Sequence, residues 1–183
     1  MNTKRLFLAI ELDDAVKKEI QKIQSENEQV KINWKDSSNC HLTLVFLGNI
    51  YVNDIAEIIR ITEDVCLKNQ DFIIKLNGLG FFNRFGNKIL YINVDHPKKT
   101  ENLHQGLIEN LTDYIEKKRN KFLAHITIAK FDNKRKIQEL AKKYQDHIFG
   151  NLKIEKITLF ESDLTGGKPR YNPIHSFYLK SSN

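Results

Sequence analysis

The hydrophobic positions along the chain follow two periods, one typical of strands and one typical of helices. A mainly apolar run at 5–12 predicts a buried strand. The acidic pair at 13–14 then suits the N-cap of a helix, because apolar residues recur behind it at helical spacing, at Val16, Ile20 and Ile23. The chain is therefore expected to open with a strand and a helix.

The same two periods continue to the end of the chain. Further strands are predicted where apolar and polar residues alternate, and further helices where apolar residues recur every three or four positions. Glycines at both ends of 80–86 suit a hairpin loop. The predicted strands are 41–47, 71–79, 87–94, 123–130, 151–161 and 172–180, with a short extended piece at 32–34 and a polar turn at 35–39. The predicted helices are 53–67, 98–118 and 134–146.

The order of these elements predicts an α+β fold. Helices alternate with strands that pair as hairpins, which favours mostly antiparallel sheets flanked by helices over a doubly wound parallel sheet. Strand, helix and paired strands occur twice in succession, so we expect two pseudo-symmetric lobes with an active-site cleft between them. At 183 residues the chain suits one domain, and we assign 1–183 to a single two-lobed domain.

Each predicted half carries one copy of a short histidine motif, which reads His-Leu-Thr-Leu at 41–44 and His-Ile-Thr-Ile at 125–128. Both copies lie in predicted strands, where side chains two positions apart share a face. The histidine and threonine of each copy therefore point one way, and its two aliphatic residues point into the core. If the two strands lie side by side, the two imidazoles and the two hydroxyls converge.

Two histidines and two hydroxyls form a complete set of groups for splitting a phosphodiester. The reaction needs a base for the incoming oxygen, an acid for the leaving oxygen and donors to the charged phosphate oxygens. Histidine serves as base or acid near neutral pH because its ordinary pKa is about 6.5. One such motif alone is more often a half-buried polar pair, but a duplicated histidine is hard to explain by packing. We therefore take His41 and His125 as candidate catalytic residues.

These motifs resemble the two signatures of a known family, the RNA 2′,3′-cyclic phosphodiesterases, also called 2′,5′ RNA ligases, of the two-histidine phosphoesterase superfamily. The likeness extends over nearly the whole chain. The segments that carry it are 5–10, 39–48, 80–82, 122–130, 161–164 and 169–171.

The resemblance implies both the reaction and how the two histidines share it. It implies two α+β lobes around a cleft, with both motifs on its floor and no metal or other cofactor. His125 would activate water and His41 would protonate the departing 3′ oxygen, leaving a 2′-phosphate, and 2′,5′ ligation would use the same site. The expected partner is RNA with 2′,3′-cyclic phosphate ends, such as tRNA fragments, and the chain is expected to be a monomer.

The chain departs from the family at three positions. Lys130 stands where an arginine is common, five residues after the second histidine, and Lys88 also replaces a frequent arginine. Tyr91 replaces a frequent tryptophan. Because lysine keeps the charge of arginine but loses its bidentate fork, Lys130 is carried over only as a possible phosphate contact.

Aromatic and basic segments near the motifs are further candidates for binding RNA. The loop at 81–85 carries three phenylalanines and an arginine, a composition that suits stacking on a base. Basic runs at 117–121 and 134–136 flank the second motif and favour an RNA path. The candidate substrate-binding residues are Thr43, Thr127, Phe82, Lys121, Lys130 and Tyr171.

Composition changes this picture little. With 40% hydrophobic and 28% charged residues, the chain is an ordinary globular protein, and its net charge of +6 favours an anionic partner, although solvated helix faces explain the same excess. The apolar stretch after Arg5 ends at Glu11, too soon for a signal peptide or a membrane span, so we expect a cytoplasmic protein. Cys40 and Cys66 have no spacing that indicates a disulfide framework or a zinc site.

Three alternatives stay open. A protein of the same fold would act on a small nucleotide cyclic phosphate, or would be a non-catalytic RNA-binding module. A metallohydrolase is a third option, but the chain lacks the usual ligand spacing. The remaining histidines have no partner at a useful spacing and are taken as surface or helix-face residues. They are His96, His104, His147 and His175.

Overall fold

The computed structural model describes residues 2–84, 87–115, 121–132, 134–167 and 169–182. The strands are β1 (Thr3–Glu11), β2 (Asn33–Trp34), β3 (His41–Tyr51), β4 (Phe72–Arg84), β5 (Asn87–Asp95), β6 (His125–Lys130), β7 (Ile148–Ile154), β8 (Lys156–Asp163) and β9 (Arg170–Tyr178). The α-helices are α1 (Asp14–Glu26), α2 (Ile55–Leu67), α3 (Lys98–Asn110) and α4 (Lys134–Lys143). Short 3-10 turns lie at Ser37–Asn39, Val52–Asp54 and Thr112–Tyr114.

The nine strands belong to one sheet. Their order is β7-β4-β5-β6-β3-β1-β8-β9, and the two-residue β2 pairs with β6. The pairings between these strands are all antiparallel. The predicted α+β class with antiparallel pairing is therefore confirmed, and the assignment of 1–183 to one two-lobed domain stays a prediction.

The sheet has two halves that meet where the histidine motifs lie. One half is β7-β4-β5-β6 and the other is β3-β1-β8-β9. Strands β3 and β6 join the halves through one pair of facing residues, Leu42 and Ile126. The sheet is therefore continuous, and each half contributes one of its two central strands.

Two of the four α-helices, α1 and α3, cross between the two halves of the sheet. Helix α1 follows β1 but packs on β7, and α3 follows β5 but packs on β3, whereas α2 and α4 pack on β9 and β4. Helix α1 begins where the Asp13 carboxylate accepts a hydrogen bond from the Val16 amide at 2.8 Å. Helices and sheet share one core, which includes the aliphatic residues of both motifs, Leu42, Leu44, Ile126 and Ile128.

The hairpin of β4 and β5 is longer than the sequence predicts. Most of the predicted loop at 80–86 is strand, because β4 continues to Arg84 and β5 begins at Asn87. The alternation of side chains is interrupted earlier, at Gly78, which lies at a register shift with φ of +67°. Because the alternation of residue types breaks at this bulge, the sequence predicts that the strand ends near Gly78, although β4 continues to Arg84.

Helix α3 is shorter than its predicted range of 98–118. It ends at Asn110, and just beyond its end the Thr112 hydroxyl donates to two carbonyls of the last turn. Leu111 is still buried, so the apolar spacing continues past the end of the helix. Residues 116–118 lie outside the described part of the chain. Within that part, no helix has the length and apolar character needed to cross a membrane.

Candidate active site

The two histidine motifs lie next to each other at the centre of the sheet. One aliphatic residue of each, Leu42 and Ile126, forms the pair that joins β3 to β6. Continuing this antiparallel register by one residue in each direction sets each histidine opposite the threonine of the other motif. Diagonal neighbours across a strand pair lie about 7–8 Å apart, with their Cβ atoms somewhat closer, and this is the separation expected for the two histidines. All four polar side chains are half-buried, so they converge on the face away from the core.

Both imidazoles are held by the same backbone contact. The Nδ1 atom of His41 lies 2.9 Å from the Asn39 carbonyl oxygen, and that of His125 lies 2.7 Å from the Leu123 carbonyl oxygen. A carbonyl oxygen only accepts hydrogen bonds, so Nδ1 carries the proton in each ring. The Nε2 atom is then the nitrogen that takes up or releases a proton.

Aromatic rings surround each imidazole. The ring of His41 lies 4.9 Å from that of Phe7 and 5.0 Å from that of Tyr171, measured between centroids. The second imidazole lies 5.3 Å from the ring of Tyr91 and 5.5 Å from that of Phe82. Two of the predicted substrate-binding residues, Phe82 and Tyr171, are therefore adjacent to the histidines.

Burial lowers the pKa of both histidines. The pKa of His41 falls to about 3, mainly because the ring is desolvated and further because of the nearby Lys35 ammonium. The hydrogen bond to the Asn39 carbonyl opposes this shift. The pKa of His125 is also lowered, by desolvation first, and Lys35 contributes again while the Leu123 carbonyl opposes the shift. Both imidazoles are therefore neutral at neutral pH before an anion binds.

A β-bulge decides which way Lys130 points. Strict alternation from Thr127 would turn Lys130 toward the core. However, the pairing of β5 with β6 contains one unpaired residue, Ile128, so the alternation is shifted beyond it. Lys130 is exposed and shares the face of Thr127, as a phosphate contact would require.

The first motif contains a matching bulge. The pairing of β1 with β3 leaves two residues of β3 unpaired, Leu44 and Leu47, and Leu44 follows His41 by three positions, as Ile128 follows His125. Phe46 therefore lies on the face of the histidines, and 67% of it is exposed. An exposed aromatic ring at this position suits stacking on a base. Sequence reasoning missed Phe46 because the alternation of residue types does not reveal the bulge.

Lys35 is a second site residue that the sequence pattern does not reveal. It follows β2, whose Trp34 packs against the core, so alternation turns Lys35 to the opposite face. Its Nζ atom lies 5.2 Å from the centroid of the Tyr171 ring. The extended piece predicted at 32–34 is confirmed by β2, but it ends before Lys35, and in sequence 35–39 looks like a polar turn.

His104 links α3 to both motifs. Its Nδ1 donates a hydrogen bond to the Leu44 carbonyl at 2.8 Å, and its ring stacks on that of Phe122 with centroids 3.9 Å apart. Leu44 is the unpaired residue of the bulge, and His104 gives its carbonyl a hydrogen-bond donor. Phe122 leads into β6, so one side chain contacts the surroundings of both histidine strands.

The structure describes no contact between the two histidine rings and the remaining residues considered in the sequence analysis. Lys121 is exposed, and no described contact joins it to either imidazole. Phe85 and the basic run at 117–120 lie outside the described residues. Burial raises the pKa of the Cys40 thiol to about 11, so it is not a nucleophile near neutral pH. In the described part of the chain, no group of three or more His, Cys, Asp or Glu side chains is arranged to hold a metal ion.

The fold and the site together define a class of protein. An antiparallel sheet with crossing helices brings one histidine strand from each half to its centre. The two rings share one mode of anchoring through Nδ1, which leaves both Nε2 atoms available, and this arrangement suits acid–base catalysis. The chain belongs to the 2′-5′ RNA ligase superfamily, whose family model matches residues 12–166.

Individual relatives match nearly the whole chain. It is 31% identical over 174 residues to the RNA 2′,3′-cyclic phosphodiesterase of Methanocaldococcus jannaschii, across 93% of this chain and 98% of that relative. It is 29% identical over 186 residues to the protein of that name in Aquifex aeolicus, across 98% and 99%. The crystal structure of E. coli LigT in apo form is similar with a TM-score of 0.84 and 19% identity, covering 98% of this chain and 99% of that one. The fold is therefore shared with LigT.

Proposed function

We propose that this chain is a metal-independent phosphodiesterase that opens 2′,3′-cyclic phosphates at RNA ends to 2′-phosphates. The observation that carries the proposal is the matched anchoring of His41 and His125, which leaves both Nε2 atoms for proton transfer. The relatives in M. jannaschii and A. aeolicus are named for this activity, which supports the reaction class. The acid, the base and the phosphate donors are all supplied by side chains.

The proposed reaction is one in-line displacement at phosphorus. His125 takes a proton from water as the water oxygen attacks. The bond from phosphorus to the 3′ oxygen breaks on the opposite side, and His41 gives its proton to that oxygen, leaving a 2′-phosphate and a 3′-hydroxyl. Thr43 and Thr127 donate to the non-bridging oxygens, where negative charge grows. Proton exchange with solvent then restores both histidines.

The same displacement accounts for 2′,5′ ligation. If the 5′-hydroxyl of a second RNA replaces the attacking water, His125 takes its proton and the product is a 2′,5′ phosphodiester. His41 still protonates the 3′ oxygen. Hydrolysis and ligation then differ only in which nucleophile occupies the side of His125.

Basic residues near His41 favour RNA over a small nucleotide. In this mechanism His41 faces the ribose, so the attached RNA leaves the site on the His41 side. A pocket of about 240 Å³ lies beside β2 and the end of β6, and its lining includes two lysines, Lys31 and Lys130, and one carboxylate, Asp132. We expect the phosphates that precede the cyclic end to contact these lysines.

The proposal is tested by incubating the purified protein in EDTA with RNAs of increasing length that end in a 2′,3′-cyclic phosphate. We expect a 2′-phosphate product, and kcat/KM should rise as nucleotides are added 5′ of the cyclic end. His41→Ala and His125→Ala, prepared in the same way, control for contaminating nucleases. Each should lose about 100- to 10,000-fold in rate.

Each alternative predicts a different result. Equal kcat/KM for a mononucleotide and for longer RNAs would indicate a small-nucleotide enzyme. RNA binding without turnover would indicate a binding module, and activity that zinc or manganese restores after EDTA would indicate a metallohydrolase. RNA fragments as partners, the monomeric state and the cytoplasmic location stay predictions.

A further inference from the structure

The backbone of Lys35 is fixed on both sides. Its amide donates a hydrogen bond to the Ile128 carbonyl at 2.8 Å, and its own carbonyl accepts one from the Gln24 side chain at 2.8 Å. The first of these bonds continues the antiparallel pairing of β2 with β6 by one residue, from Trp34 and Ala129 to Lys35 and Ile128. Lys35 therefore starts from a rigid position directly beside the second histidine motif.

The side chain of Lys35 extends toward the first histidine. It is half-buried, and its Nζ lies over the ring of Tyr171, which in turn contacts the ring of His41 edge-on. Its charge also lowers the pKa of both histidines. One ammonium group thus acts on both imidazoles, so it lies within electrostatic range of both motifs.

The charge of Lys35 is not balanced by the described part of the chain. No carboxylate there contributes to the shift of its pKa, which burial lowers first; Cys40 opposes this shift, and the charge of Lys130 adds to it. A half-buried cation next to a second cation is unfavourable unless an anion joins them. The face of the histidines is therefore prepared for a negative ligand.

We propose that Lys35 binds a non-bridging oxygen of the phosphate that lies between His41 and His125. This inference rests on the function proposed above. A fixed ammonium next to the non-bridging oxygens stabilises the charge that they gain in the transition state. Lys130 is exposed and approaches from the edge of the face, so Lys35 is the better placed of the two lysines for the reacting phosphate.

Binding of the phosphate would also prepare the acid. Before binding, the Lys35 charge disfavours a protonated imidazole. A phosphate anion on Lys35 cancels that repulsion and adds its own attraction for the imidazolium. The proton that His41 must deliver is therefore held more firmly once the substrate is in place.

Substitutions of Lys35 test this inference with inorganic phosphate as the probe. Lys35→Met removes the charge and keeps the length, Lys35→Arg keeps the charge, and Lys18→Met removes an exposed lysine of α1 as the matched control. Phosphate affinity and the titration of each histidine are read from the NMR signals of the imidazole rings. We expect Lys35→Met to weaken phosphate binding about 10- to 100-fold and to raise both titration midpoints in the absence of phosphate. Lys35→Arg should keep most of the binding, and Lys18→Met all of it.

The outcomes separate this inference from the proposed function. Wild-type phosphate affinity in Lys35→Met would overturn the inference, even if the protein hydrolyses cyclic-phosphate RNA. If the wild type binds phosphate through Lys35 but cleaves no such RNA, the proposed function fails and the inference stands. If Lys35→Met lowers the melting temperature, Lys35→Gln repeats the measurement with a polar side chain of similar length.

Discussion

His41 and His125 share one backbone contact but differ in their surroundings. His41 packs between Phe7 and Tyr171, and its pKa falls to about 3. The pKa of His125 is lowered as well, with desolvation again the largest cause. In the proposed mechanism the base, His125, is therefore ready in the free protein near neutral pH, whereas the acid, His41, must retain a proton that its surroundings disfavour. The anionic substrate has to supply that stabilisation.

This requirement predicts two different pH profiles. A lowered pKa means that an imidazole is protonated only at more acidic pH, so the free enzyme reaches its active form, with one ring charged, at low pH. A bound phosphate raises the pKa of both rings, so the complex reaches that form at higher pH. Because kcat/KM reports the free enzyme and kcat reports the complex, the limbs of the kcat/KM profile should lie about one pH unit or more below those of kcat. Superimposable profiles would contradict this account.

The division of roles between the histidines predicts a response to the leaving group. A nitrophenolate leaves without a proton, so an activated nitrophenyl phosphodiester makes the acid dispensable but not the base. His41→Ala should recover much of its activity on this ester, and His125→Ala should stay impaired. The measurement is the ratio of kcat/KM on the activated ester to that on cyclic-phosphate RNA for each variant. The opposite pattern would exchange the two roles.

At the scale of strands, the two motifs repeat a bulge as well as a sequence. Each bulge lies three residues after its histidine, at Leu44 and at Ile128. The carbonyls of the two bulge residues have different partners, the His104 ring for Leu44 and the Lys35 amide for Ile128. After each bulge the alternation of side chains is shifted by one position. In β6 this shift places Lys130 on the face of the histidines.

The aromatic rings of Phe82 and Tyr91 lie beside His125 and are held by the close pairing of β4 with β5. Gly80 permits this close pairing because it has no side chain. A Cβ at Gly80 would lie 2.6 Å from the Tyr91 ring, which also stacks on Phe82. Gly80→Ala should therefore displace these rings from His125, lower kcat/KM and reduce the free energy of unfolding by about 1–3 kcal/mol. Gly166→Ala is the matched control, because its Cβ meets nothing within 4 Å. Unchanged activity together with an unchanged His125 titration in Gly80→Ala would contradict the prediction.

Alternation within strands explains what the sequence predicts at this scale and what it does not. The period of two correctly assigns Leu42 and Ile126 to the core and their motif histidines to the other face. A bulge adds a residue without any change in residue type, so the positions of Phe46 and Lys130 cannot be read from the pattern. Lys35 follows a strand too short to show a period. These positions depend on pairing between distant segments.

At the scale of the whole molecule, the crossing helices hold the two halves of the site together. The sheet alone joins the halves through a single facing pair, Leu42 and Ile126. Helix α3 leaves one half and packs on β3 in the other, as α1 does in the opposite direction. The distance between the two histidines therefore depends on how the helices pack as well as on the pairing of β3 with β6. This dependence is also hidden in the sequence, where His104 looks like an ordinary helix residue.

His104 offers a test of this dependence, because it contacts the surroundings of both motifs at once. His104→Ala leaves the Leu44 carbonyl without its donor and removes the stack on Phe122, so the free energy of unfolding should fall by about 1–3 kcal/mol. The two histidines should also lose their alignment, lowering kcat by about 10- to 100-fold with little change in KM. His104→Phe keeps a ring for the stack and His104→Gln keeps a donor, so each should recover part of the loss.

The control for this series is a histidine outside the site. The His96 side chain is 94% exposed and its φ is 49°, which asparagine tolerates, so His96→Asn should behave as the wild type. The measurements are chemical denaturation and kinetics well below the melting temperature. If His104→Ala loses stability but keeps its kcat, the side chain stabilises the packing of α3 without setting the distance between the histidines. A loss of kcat that exceeds the loss of stability, partly restored in both conservative variants, is the result expected if α3 aligns the two halves of the site.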